Sequence, residues 1–220
     1  MKINDLPWPP NASEAIALQR EFSKRLVLEG DVMNADLIAG VDCSSFGSTG
    51  TMVGAIVVWS ISEGRVVTSV TASAEAEFPY VPGLLAFREL PVLLKAFREL
   101  DLMPDAVICD GQGTAHMRGF GIACHLGLYL GIPTVGCGKS RLVGSFTAPD
   151  SLKGSVSSLN YKGREVGRVV RTRTGVSPVF ISPGHLMGMD GAVELILGTC
   201  TKYRLPEPIR AAHKLAGEVR

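Results

Sequence analysis

Two apolar runs each lead into an aspartate: Ile38-Ala39-Gly40-Val41 into Asp42, and Ala106-Val107-Ile108-Cys109 into Asp110. Both read as short buried strands, and each aspartate is followed by a Gly- or Ser-rich stretch. Open α/β sheets place ligands at the carboxyl ends of their strands. If these two strands are parallel neighbours, two carboxylates stand together at that edge. Like charges held so close push one pKa up unless a cation lies between them. Oxygen donors of this kind suit Mg²⁺, with Mn²⁺ as a substitute. The simpler alternative, for either aspartate alone, is a side chain capping its own turn. Glu89 and Glu99, on one helical pattern, both qualify by spacing as a third acid. Cys43 falls on the other side of its strand by alternation and is read as packing.

Several elements must position these groups. A helix is expected over Ser13 to Glu29, within an N-terminal extension of residues 1–30, with Asn11 or Ser13 as cap. Strands follow at Asp36–Asp42, Thr51–Ser60 and Arg65–Ala72, with a polar turn at Ser44–Gly50 between the first two. The short links suggest an antiparallel meander. Leu84 to Leu100 is helical, with Pro91 expected to kink or break it. A strand at Asp105–Asp110, a helix at Gly119–Leu130 and a strand at Pro133–Gly136 come next. Beyond lie strand-like pieces at Ser155–Leu159, Glu165–Arg173 and Pro178–Ser182, a helix near Asp190–Cys200 and a polar tail. Helical crossovers imply parallel neighbours. The expected fold is therefore α/β: a mixed central sheet of five strands, three in the meander and two parallel, with helices on both faces, in a single domain over 1–220.

Composition narrows the class. The chain has 220 residues, 46% hydrophobic, with mean hydropathy +0.23, which excludes a disordered chain. No apolar run approaches the roughly 18 residues of a membrane span, and the first ten residues lack a signal-peptide core. Five widely spaced cysteines without a Cys-x-x-Cys pair read as free thiols of a reducing cytoplasm. The net charge of +1 hides an asymmetry: residues 1–110 carry 8 basic and 15 acidic side chains, residues 111–220 carry 14 and 6. This is compatible with a basic face for a polyanion beside an acidic metal site, or with plain scatter over a surface.

Pro79-Tyr80-Val81-Pro82 pins an aromatic and a β-branched residue between two prolines. It reads either as a rigid wedge for a base stack or as a loop packed under its own helix. His116, Arg118, Lys139 and Arg141 follow strand ends on the carboxylate edge and suit phosphate contacts; Arg171, Arg173, Lys202 and Arg204 could follow a backbone more loosely. Gly136-Cys137-Gly138-Lys139-Ser140 has Pro133 where a phosphate-binding P-loop needs glycine, and is discarded.

Four segments together resemble endonuclease V, the deoxyinosine-directed repair nuclease family, over about residues 36–214. They are Ile38 to Asp42; Pro79 to Gly83 with Phe87-Arg88-Glu89; Val107 to Gly113 with His116; and Arg204-Leu205-Pro206-Glu207-Pro208. The resemblance implies a ribonuclease H-like fold. It implies a metal site of Asp42, Glu89 and Asp110, choosing Glu89 over Glu99, with His213 beside it as a fourth catalytic residue. It turns Pro79, Tyr80, Val81 and Pro82 into a strand-separating wedge, and it assigns phosphate contacts to Arg88, His116 and Lys139. Gly83, Leu85, Gly111 and Gly113 would line a pocket for an extruded hypoxanthine, where glycines let backbone approach the base. The implied reaction is hydrolysis of the second phosphodiester bond 3′ to deoxyinosine, leaving 3′-hydroxyl and 5′-phosphate ends, by a metal-dependent monomer. The alternatives are a nuclease for inosine in RNA and a non-catalytic binder of inosine or branched DNA.

Overall fold

The computed structural model describes residues 3–46 and 50–218. The three predicted meander strands form as β1 (Leu37–Phe46), β2 (Thr51–Ser60) and β3 (Arg65–Glu75), paired antiparallel. β1 then pairs parallel with β4 (Ala106–Cys109), and β4 parallel with β5 (Thr134–Gly138). The sheet does not stop there. β8 (Val179–Pro183) joins β5 antiparallel, then β7 (Arg164–Val170) and β6 (Val156–Tyr161), giving eight strands in the order β3-β2-β1-β4-β5-β8-β7-β6. The five-stranded expectation is thus corrected to eight. The three late strands are short, and a local pattern names no partner; Gly136 meets Ser182 only through the tertiary fold.

Helices cover both faces. Val41, Cys109 and the apolar sides of α2 (Leu85–Arg98) and α3 (Ile122–Leu130) share one core. Ile38, Ile108 and residues of α4 (Met189–Thr199) and α5 (Glu207–Glu218) share the other. Helix α1 (Ala12–Phe22) starts at Asn11, whose side chain accepts from Glu14 N at 3.0 Å. It gives way to a 3₁₀ turn at Ser23–Arg25 and extended backbone at Leu26, short of the predicted Glu29. Pro91 does not break α2: it lies on the exposed side, where its ring and its missing N–H are tolerated.

Two further differences bear on the site. The predicted polar tail is largely helix, α5, which buries Ile209, Ala212 and Ala216 at helical spacing against β1 and β2. β1 also runs on past Asp42 to Phe46 against β2, so Ser44–Phe46 are strand rather than turn, and residues 47–49 lie outside the described part. All five cysteines are unpaired. Among the described residues no helix is long and apolar enough to cross a membrane.

Candidate metal centre and nucleic-acid cleft

The parallel pairing of β1 with β4 decides the centre. Val41 lies opposite Cys109, and Asp110 N donates to Val41 O at 3.2 Å, so Asp42 and Asp110 follow side by side. Alternation turns both toward the face covered by α5. Gly40 makes that cover possible: a Cβ there would lie 2.2 Å from the Pro208 carbonyl carbon. Seated so closely, α5 brings His213 Nδ1 to 2.6 Å from Asp42 Oδ2. One ligand atom from each of Asp42, Asp110 and His213 falls within 4.8 Å of the others. Lys139, directly after β5, forms an ion pair with Asp110.

Glu89 approaches from the opposite layer. It sits on α2, and with Asp42 and Asp110 it lines a small crevice at the end of β4. Burial, then the charges of Asp42 and Asp110, raise its pKa to about 8. Asp42 is raised as well, chiefly by burial and partly by Asp110, against the lowering effect of His213. Three carboxylates gathered at one edge, with an imidazole beside them, form a donor set that fits a hard divalent cation.

A cleft of about 440 Å³ opens from this centre. Its lining includes Glu89, Asp110 and Lys139, the Tyr80 to Gly83 loop with Leu85, and Gly111, Ile122 and Gly138. The endonuclease V family model matches residues 20–214. The chain belongs to the endonuclease V family.

Endonuclease V of Dehalococcoides mccartyi is 44% identical over 96% of this chain and 95% of its own. The crystal structure of endonuclease V from Streptomyces avermitilis superposes with a TM-score of 0.92 at 40% identity, covering 96% of this chain and 93% of that one. Endonuclease V of Ciona intestinalis, solved with a 24mer DNA containing an inosine followed by a ribo-adenosine, gives 0.82 at 26% identity, covering 94% and 96%.

In this family member the Pro79–Pro82 loop stands between buried Phe78 and Leu84, and Tyr80 is 71% exposed. Val81 leans on the cluster of Ala15, Phe78, Leu84 and Phe87. Leu84 N donates to Val81 O at 2.9 Å, so the first-turn N–H groups without a helical carbonyl partner begin at Leu85, on the cleft wall. Arg88 Nη1 donates to Phe78 O at 2.9 Å and so braces the root of the loop. His116 is buried, and desolvation followed by the Arg118 charge lowers its pKa to about 4, so it is a neutral hydrogen-bonding group at pH 7.

Gly113 lies behind the cleft wall rather than on it. Its N–H donates to Ser182 Oγ at 2.8 Å, and a Cβ there would lie 2.0 Å from Pro183 O. Arg171 holds the carbonyls of Pro149 and Asp150, and Arg204 those of Lys139 and Pro178, so both guanidinium groups serve the fold. Gln19, Gln112, Ile122 and Leu142 also line the cleft, and sequence reasoning missed them. Gln112 followed Asp110 at a spacing that could have flagged it. Nothing local marked Gln19, on a different helix.

Proposed function

We propose that this chain is a DNA repair endonuclease for deoxyinosine, cutting the second phosphodiester bond 3′ to the lesion and leaving 3′-hydroxyl and 5′-phosphate ends. The observation that carries this reading is the convergence of Asp42, Asp110 and His213 within 4.8 Å, with Glu89 behind them, on a cleft walled by the Tyr80 loop. The ribonuclease H-like assignment and the position of the cut follow the family resemblance.

Each side chain then has a task. Tyr80 enters the stack beside the lesion, where a mispaired base costs least to unstack. The extruded base is read at the wall of Gly83, Leu85 and Gly111, where backbone donors meet O6. Adenine presents a donor at that position and is left with an unpaired contact. Asp42, Glu89 and Asp110 would hold a divalent cation, Mg²⁺ with Mn²⁺ in substitution. When bound, that ion supplies Lewis acidity toward a phosphoryl oxygen and an attacking water. Lys139 is placed to exchange Asp110 for a phosphate oxygen. His213 holds Asp42 and can pass a proton at the same edge. Arg88 contributes by fixing the loop, and the protein acts as a monomer in the cytoplasm.

The inosine followed by a ribo-adenosine in the Ciona complex favours one second reading, cleavage of inosine in RNA. A 5′-labelled inosine duplex, offered as DNA, as RNA and with a single ribonucleotide after the lesion, tests both. Cutting directly 3′ of the lesion's 3′ neighbour, in Mg²⁺ and not in EDTA, is the expected result. Binding without any nick in Mg²⁺ or Mn²⁺ would instead make the chain a non-catalytic inosine binder.

A further inference from the structure

One carbonyl, that of Gly83, is shared by side chains from two distant parts of the chain. Gln19 Nε2 donates to it at 3.0 Å and Arg118 Nη2 at 2.6 Å, while His116 Nε2 lies 3.1 Å away. Arg118 N donates to His116 Nδ1 at 3.3 Å, which leaves the His116 proton on Nε2, aimed at the same oxygen. Arg118 Nε also donates to Gln19 Oε1, and Gln19 Nε2 reaches Phe120 O at 3.3 Å, so the Gln19 and Arg118 side chains brace one another. Gln19 is only 1% exposed, and it lies one residue before the stretch that matches the family.

Three donors on one carbonyl exceed its two lone pairs, and so they fix the peptide plane rather than merely satisfy it. That peptide has no easy substitute. Gly83 has φ +79°, and a Cβ on it would lie 2.7 Å from Arg118 Nη2 and 2.8 Å from Met117 Sδ. It is also the hinge at which the Tyr80 loop meets α2. The other end of the loop is held by Arg88 on the Phe78 carbonyl. A loop pushed into a base stack must resist the tendency of the bases to restack. Prolines stiffen the Tyr80 segment itself, but without a fixed Gly83 peptide the segment would swing as a unit.

We infer that Gln19 and Arg118, with His116, are positioning residues that clamp the Gly83 peptide, so that the Tyr80 loop can hold strands apart and Leu85 can face the base. This rests on the endonuclease reading above and adds α1 to the working parts of the site. None of the three needs to touch the reacting phosphate.

The test compares wild type with Gln19→Met and Arg118→Met, which remove the donors while keeping a long side chain. kcat and KM are measured on deoxyinosine in a duplex and in a single strand. Fluorescence of 2-aminopurine placed beside the lesion, read in EDTA, reports unstacking. Thermal midpoints check folding, and if Gln19→Met does not fold, Arg118→Met carries the comparison. The expected result is a kcat/KM loss at least tenfold larger on the duplex than on the single strand, with a smaller 2-aminopurine rise on binding. Equal losses on both substrates, as a general folding defect would give, or no loss at all, would overturn the inference while leaving the endonuclease reading intact. A wild-type chain that cuts neither inosine substrate would remove that reading and the inference with it.

Discussion

Asp42 and Asp110 are adjacent because two parallel strands end their shared register one residue earlier, at Val41 and Cys109. Replacing either by Asn keeps the shape and removes a charge from the donor set. The prediction for Asp110→Asn is a folded protein that still retains inosine duplex in a gel shift. Its nicking should fall by about 10²–10³-fold or more, the scale of losing a group that acts in the transition state. A variant cutting near the wild-type rate would remove Asp110 from the centre. Glu89 makes a different prediction. Its folded pKa is raised to about 8 from 4.5, so the unfolded chain gives up this proton first. In EDTA, stability should therefore fall as pH rises from about 4.5 to 8, by up to about 1.4 kcal/mol per unit. Glu89→Gln should make that fall shallower in urea midpoints, leaving the part due to Asp42, and should abolish nicking. At this scale the sequence was informative where two matching apolar runs met an acid. It could not rank Glu89 over Glu99 without the family resemblance, because Glu89 reaches the centre around the end of the sheet from the opposite layer.

Helix α5 shows what decides placement at the scale of an element. Its amphipathic spacing, with Ile209, Ala212 and Ala216 on one side, was present in the sequence. Polar residues between those positions disguised it as a tail. What seats it is a single missing Cβ on β1, because Gly40 lets the Pro208–Ile209 backbone touch the sheet. Gly40→Ala should lift α5 and separate His213 from Asp42. The overpacking should cost about 2–3 kcal/mol, or roughly 5–10 °C in thermal midpoint for a chain of this size. Nicking should fall further than the change in folded fraction explains. A variant with an unchanged midpoint would show that α5 does not depend on this contact. The meander and the two parallel strands were legible because their links are short or helical. β6, β7 and β8 were visible as pieces but not as part of the sheet, since an antiparallel partner some 45 residues away leaves no local trace.

Across the whole molecule, opposing titrations set the pH at which the fold is strongest. His125 is fully buried in a box of Trp8, Phe22, Phe87, Phe120 and Tyr129, and neither of its ring nitrogens has a hydrogen-bond partner. Desolvation alone lowers its pKa to about 3, and His116 is lowered to about 4. Both histidines take up a proton near pH 6.5 when the chain unfolds but stay neutral while it is folded. Their stabilising effect is complete above 6.5 and is lost as pH falls toward 4, at about 1.4 kcal/mol per unit for each. Glu89 acts in the other direction from 4.5 upward, as does the raised Asp42, so Glu89 offsets roughly one histidine below pH 6.5 and continues above it. The metal-free protein should therefore be most stable near pH 6.5, losing stability on both sides. His125→Phe, which fills the same aromatic box with a group that cannot titrate, should flatten the acid side and leave the alkaline side as it was. Urea midpoints at half-unit pH steps in EDTA measure both limbs. If the acid limb persists unchanged in His125→Phe, the buried imidazole does not govern acid unfolding, and the other lowered histidines, His116 and His185, are its source.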